Sequence, residues 1–300
     1  MFRVLGGIAV GEQALSRRLE RELLGLLVAA RGRPVSVDQV LEELWDEDAG
    51  RAAVQVVVSR LRARLDPAGR GPRGIAGTPA GYQLEVDGGA VDVWVFEELV
   101  ERALAAPTPA DRLVLGTRAD ELWTGEPYAG CEAPSLRAEA ARLVDLHVTA
   151  IESRAGALLE LGHPATAVRL LSPVAQAHPY RESLWALLAR ALYACSRQAD
   201  ALAALATLRS RLAEDLGVDP SPEVRAMEQA ILTQDPTLTR AKAPGGTAHR
   251  SAHGSSLCRH RRRSRVVRPV TRATASTAPI SQSPFFEAIQ AWSTASPMVT

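Results

Sequence analysis

The sequence predicts a mainly α-helical protein, in which a small α+β N-terminal region precedes an all-α domain of tetratricopeptide-like helical repeats. Three observations carry that expectation. Aromatic residues make up 4% of the 300 positions while Leu, Ala and Val dominate, a composition that favours helices. In the second half, apolar positions recur at an offset of 34 residues. In the first half, helical periodicity gives way near residue 74 to two short runs separated by turn residues, the pattern of a β-hairpin.

The N-terminal elements follow in order. FRVLGGIAV alternates as short strands around Gly6-Gly7. Leu19, Leu23, Leu26 and Leu27 have helical spacing, predicting a helix over 19–30 that Pro34 stops. Ser36-Val37-Asp38 opens a second helix, with Val40, Leu41, Leu44 and Trp45 as its buried stripe. An acidic loop runs from Asp46 to Gly50, and AAVQVVVSRLRARLDP (52–67) reads as a third helix. A glycine-rich link then leads to IAGTPAGYQLEV, two strands around a tight turn. Three helices followed by a hairpin is the winged form of helix-turn-helix.

The third helix carries the candidate site. At about 100° per residue, Val58, Leu61 and Leu65 lie within about 40° of Val54 and form a core stripe. Ala52, Val56, Ser59 and Ala63 fall roughly 140–200° away, on the opposite side. Arg60 and Arg64 flank that side on one edge, Gln55 and Arg62 on the other. A protruding face of small residues with arginines on both shoulders suits insertion between two phosphate walls, and the major groove of DNA admits a helix. An ordinary amphipathic helix with solvated arginines explains the same pattern. The hairpin with Gly81-Tyr82, placed to lie as a wing on the backbone beside the helix, favours groove insertion.

Residues 93–235 read as nearly all helix. Ile151, Ala155, Leu158, Ala167 and Leu171 recur as Trp185, Ala189, Leu192, Ala201 and Leu205. That is the tetratricopeptide period, in which small alanines let paired helices approach closely. Pro179 ends one repeat, and Ser221-Pro222 starts a last helix through about Leu232. Residues 236–300 are rich in Ala, Ser, Thr, Pro and Arg and read as a disordered basic tail. From Arg240 onward there are ten Lys/Arg and one acid, Glu287, against 25 basic and 33 acidic residues before it. The run RHRRRSRVVR (259–268) fits a solvated tail better than a nonspecific nucleic-acid contact.

Several classes are disfavoured. No run of about 18 apolar residues predicts a membrane span, and MFRVLGGIAV lacks the features of a signal peptide. Three scattered cysteines suggest a reducing cytoplasm. No G-x-x-x-x-G-K-[ST] loop predicts an NTPase. His249, His253, Cys258 and His260 fit no common ligand spacing, so no metal and no cofactor is expected, and no side-chain constellation suggests an enzyme.

FRVLG, RPVSVDQVLEELW (33–45), VSRLRARLDP (58–67) and PAGYQLEVD (79–87) resemble the OmpR-type winged helix and, more closely, that of the Streptomyces antibiotic regulatory protein family. DVWVFEELVERA (92–103), AEAARLVDLHVTAIE (138–152), HPYRESLWALLARALYACSRQADALAAL (178–205) and LGVDPSPEVRAMEQAIL (216–232) resemble the bacterial transcriptional activator domain that follows it in that family. The resemblance implies a DNA-binding domain over 1–92, an activator domain over 93–235 and a tail over 236–300. It implies a cytoplasmic, nucleoid-associated activator of antibiotic-biosynthesis genes that binds direct repeats in double-stranded promoter DNA and recruits RNA polymerase. The repeats would supply homodimer or regulatory contacts. By position, Val56, Val57, Ser59, Arg60, Arg62 and Arg64 would contact bases and phosphates, with Thr78 and Tyr82 in the wing. Asp46, Glu47 and Asp48 would meet the polymerase. Thr78 stands where the family often has arginine, and Val57 where OmpR-type helices are often polar. The first sheet is abbreviated. Those departures keep open a second reading, a helical-repeat interaction scaffold whose winged helix binds no DNA.

Overall fold

The computed structural model describes residues 1–45, 50–65 and 74–238. Three two-residue strands, β1 (Phe2–Arg3), β2 (Ala9–Val10) and β3 (Gln13–Ala14), form an antiparallel sheet in that order. The abbreviated first sheet is thus three strands of minimal length. Helices α1 (Arg18–Ala29), α2 (Val37–Leu44) and α3 (Arg51–Leu65) follow, then the hairpin β4 (Gly74–Thr78) and β5 (Gly81–Glu85). The remainder is helical: α4 (Asp92–Ala105), α5 (Pro109–Asp120), α6 (Pro134–Glu160), α7 (Pro164–Ala177), α8 (Glu182–Ala194), α9 (Gln198–Arg211) and α10 (Pro222–Leu232).

Local chemistry explains the boundaries. The Ser36 hydroxyl accepts a hydrogen bond from the Gln39 amide at 3.1 Å and caps α2. Thr108 caps α5 in the same way, with Pro109 in the first turn. Ser221 and Pro222 start α10, as the sequence predicts. The expectation that Pro34 stops α1 needs correction. Arg31 and Gly32 take left-handed backbone (φ 53° and 71°) and end the helix before the proline is reached. At the other end, Pro236–Leu238 form a 3-10 turn with Leu238 packed on the repeat core, and the rest of the tail expected over 236–300 lies outside the described residues.

The 34-residue period is a packing period. Each of the ten residues in its five pairs is buried. Ile151, Ala155 and Leu158 lie on α6 and their counterparts on α8; Ala167 and Leu171 lie on α7 and theirs on α9. Two helical hairpins, α6–α7 and α8–α9, therefore repeat one another, and α10 packs on α8 and α9. An antiparallel pair α4–α5 precedes them, in the stretch where the sequence shows no period.

The described residues belong to one compact unit with two apolar cores. The first joins Leu5, Ile8, Leu23, Leu24, Leu27, Val40, Val54, Leu61 and Leu84 to Phe96 and Val100 of α4 and to Leu136 and Leu143 of α6. The second runs from Val148 of α6 to Ile231 of α10. One helix of 27 residues thus serves both. Its approach to α1 is close: a Cβ on Gly25 would stand 2.8 Å from Leu136 Cδ1.

Polar contacts fasten the same junction. The buried Asp92 carboxylate, at the start of α4, accepts hydrogen bonds from the amides of Val4 (2.9 Å), Leu5 (3.0 Å) and Val93 (2.7 Å). Burial pushes its carboxyl above the ordinary value, and those amides pull against the rise. Two winged-helix carboxylates reach amides at and just before the start of α6: Glu22 accepts from Glu132 (3.0 Å) and Glu43 from Ser135 (3.2 Å). Glu97 of α4 pairs with Arg31 and, at 2.5 Å, with Arg142 of α6. Among the described residues, no helix is long and apolar enough to cross a membrane.

Candidate nucleic-acid interface

Helix α3 turns Val54, Val58 and Leu61 into the core, with Leu65 half-buried. Ala52, Val56, Ser59 and Ala63 are exposed, as the angular arithmetic predicts. Val56 is the one large apolar side chain on that face and is 48% exposed. Val57 is different. The resemblance placed it among the contacts, but it lies 300° from Val54, that is 60° back towards the core, and is 4% exposed. Its valine identity is that of a core residue.

The four arginines of α3 differ in their partners as well. Arg60 is exposed and has no hydrogen-bond or ion-pair partner among the described residues. Arg62 Nε donates to the Ile75 carbonyl of β4 at 3.0 Å, and its guanidinium lies 5.8 Å from the Tyr82 ring centroid. Arg64 Nε stands 2.8 Å from Glu20 Oε2 on α1. Glu20 is buried and also pairs with Arg17. Arg51, in the first turn, pairs at 3.5 Å with Asp38, both well exposed, and such a pair is weak.

The hairpin is fixed against the helices from two sides. Backbone hydrogen bonds join Tyr82 and Val35 in both directions, at 2.8 and 2.9 Å. Gly81 permits that approach: its φ is +138°, and a Cβ there would stand 1.9 Å from the Val35 carbonyl oxygen. Thr78 closes the turn, its hydroxyl donating to the Gly81 carbonyl and accepting from the Ala80 amide, both at 3.2 Å. Thr78, where the resemblance leads one to expect arginine, is thus a turn-forming side chain. Asp46, Glu47 and Asp48 lie outside the described residues, as does nearly all of the basic tail with His249, His253, Cys258 and His260.

Sequence reasoning brings Val56, Ser59 and Arg60 together correctly on one open face. It missed Glu20 and Asp92, because nothing in their local sequence marks a carboxylate whose partners lie on α3 or some 88 residues away.

A third helix with an open outer face, a hairpin pinned beside it and helical repeats behind it define a winged-helix transcriptional regulator. Comparisons with known proteins agree. Residues 11–84 match the family model "Transcriptional regulatory protein, C terminal", and 91–232 match "Bacterial transcriptional activator domain". Regulatory protein DnrI of Streptomyces peucetius is 31% identical over 236 residues, covering 74% of this chain and 87% of DnrI. Regulatory protein AfsR of Streptomyces coelicolor is 36% identical over 253 residues, covering 81% of this chain and 25% of AfsR, so the chain spans about a quarter of that relative's length. The solved structure of Mycobacterium tuberculosis EmbR in complex with a low-affinity phosphopeptide superposes with a TM-score of 0.72 at 31% identity, covering 79% of this chain and 67% of that one. The chain belongs to the Streptomyces antibiotic regulatory protein family of transcriptional regulators.

Proposed function

We propose that this chain activates antibiotic-biosynthesis genes by inserting α3 into the major groove at promoter direct repeats and recruiting RNA polymerase. The observation that carries the reading is the open face of α3: Ala52, Val56, Ser59 and Ala63 exposed, with Arg60 unpartnered at its edge among the described residues. Small side chains let the helix axis approach the groove floor. Val56 suits a thymine methyl, Ser59 a base edge, and Arg60 a phosphate or the edge of a guanine. Residues 1–92 hold twelve basic and thirteen acidic residues, so affinity rests on where these few cations stand and not on a basic domain. The repeats of 93–235 supply the contacts between copies on adjacent half-sites.

A duplex selected by the full chain from a random-sequence pool tests the reading. Arg60→Ala weakens binding to it several-fold, and the salt dependence flattens by about one unit of slope if the lost contact is to phosphate. Val56→Glu abolishes binding with the thermal midpoint unchanged, since the side chain touches no core. A wild-type chain that selects no duplex sinks the reading and leaves the interaction scaffold. The polymerase contact is tested separately. With Asp46, Glu47 and Asp48 all changed to Ala, the selected duplex is bound as before while transcript yield with purified RNA polymerase falls to the basal level. Retained activation removes that segment from the proposal.

A further inference from the structure

The geometry points to Arg62 as a positioning residue, not a DNA contact: it clamps the wing onto α3 through the Ile75 carbonyl and the Tyr82 ring. This rests on the reading of α3 as the recognition helix and changes the part that the resemblance gives Arg62. Its Nε already donates to Ile75 at 3.0 Å, and its guanidinium lies over the Tyr82 ring, 5.8 Å from the centroid. Tyr82 is in turn held through its backbone by Val35, in the connection between α1 and α2. One residue of β5 therefore receives α3 on its side chain and the α1–α2 connection on its main chain. Releasing Arg62 leaves the base of the hairpin anchored by the buried Ile75 and Leu84 and by the Tyr82–Val35 backbone pair. The freedom gained is at the distal end, so the wing tip at Thr78–Gly81 loses its fixed height beside α3. A Cβ added at Gly77 would stand 3.6 Å from the guanidinium and 3.8 Å from the Tyr82 ring, so this position of β4 borders both partners of the clamp.

The charge distribution makes the inference decidable. Gly74–Glu85 contains no lysine or arginine. Loss of wing placement therefore removes contacts without removing a phosphate-neutralising charge, whereas loss of a direct phosphate contact by Arg62 flattens the salt dependence by about one unit. Arg60 and Arg62, two residues apart on one helix, are thereby predicted to differ in kind.

Full-length Arg60→Ala, Arg62→Ala and Tyr82→Leu are compared on the selected duplex by salt titration and hydroxyl-radical footprinting. Arg62→Ala and Tyr82→Leu are expected to weaken binding severalfold with an unchanged salt slope. They lose protection at the flank under the wing and keep it under α3. Arg60→Ala does the reverse. A slope flattened by a full unit in Arg62→Ala, with the wing footprint intact, overturns the clamp. Hydrogen exchange without DNA reads it independently: the Gly74–Glu85 amides exchange faster in Arg62→Ala and Tyr82→Leu and not in Arg60→Ala. Unchanged exchange in both clamp variants also overturns it. A wild-type chain that selects no duplex defeats the recognition-helix reading, and the exchange result then still decides the clamp.

Discussion

A fragment ending at Ala90 does not fold. It contains the whole winged helix by element count, yet Phe96, Val100, Leu136 and Leu143 fill the same core as Leu24, Leu27 and Val54. Four buried side chains of that size contribute about 1.5–3 kcal/mol each, on the order of 10 kcal/mol together. That is comparable with the whole stability of a domain, roughly 5–15 kcal/mol. The fragment also loses the Asp92 carboxylate from the amides of Val4 and Leu5, and the α6 amides from Glu22 and Glu43. Circular dichroism of residues 1–90 is expected to show no cooperative melt, while a fragment extended through α6, to Glu160, regains one. A sharp transition and dispersed amide resonances in the shorter fragment show the N-terminal core to be self-sufficient and defeat the prediction.

Asp92→Ala destabilises the full chain by about 3–5 kcal/mol, since it strands two long-range buried amides and one at the start of α4 at roughly 1–3 kcal/mol each. Asp92→Asn costs less, because its amide oxygen still accepts. The pH dependence has a definite sign. The folded carboxyl titrates above its unfolded value, so the native state holds that proton more tightly. The contribution of this titration is full below the unfolded value of about 3.9 and is lost as pH rises through the raised folded value. Urea titrations over that range should therefore show the advantage of the wild-type chain over the Asp92→Asn variant shrinking as pH increases. An advantage that grows with pH means that the amides outweigh burial.

The sequence made the helical half legible because its repeats bury the same positions twice: Trp185 and Ile151, Ala201 and Ala167 are interchangeable in role, and a period of 34 exposes that. The hairpin was legible from Gly81 and the turn at Pro79-Ala80, and the outer face of α3 from angular spacing alone. The direction of Val57 was equally available from that spacing, and the family resemblance misplaced it. Other features were beyond local reading. Whether an exposed-looking arginine is free or bound depends on groups distant in sequence: Ile75 and Tyr82 decide it for Arg62, and Glu20, 44 positions earlier, decides it for Arg64. The α4–α5 pair reads as helix but fits no period, because its contacts are with the winged helix and α6 and it carries no repeat signature.

Helix α6 has a consequence for control. At about 1.5 Å per residue it is a rod of roughly 40 Å, with one end in each core. Bending such a rod means breaking packing on both sides, so α6 resists any swing of the winged helix against the repeats. Under the proposed function, two copies tethered through their repeats would each raise the other's local concentration at neighbouring half-sites, so that control would act through avidity while each winged helix keeps its shape.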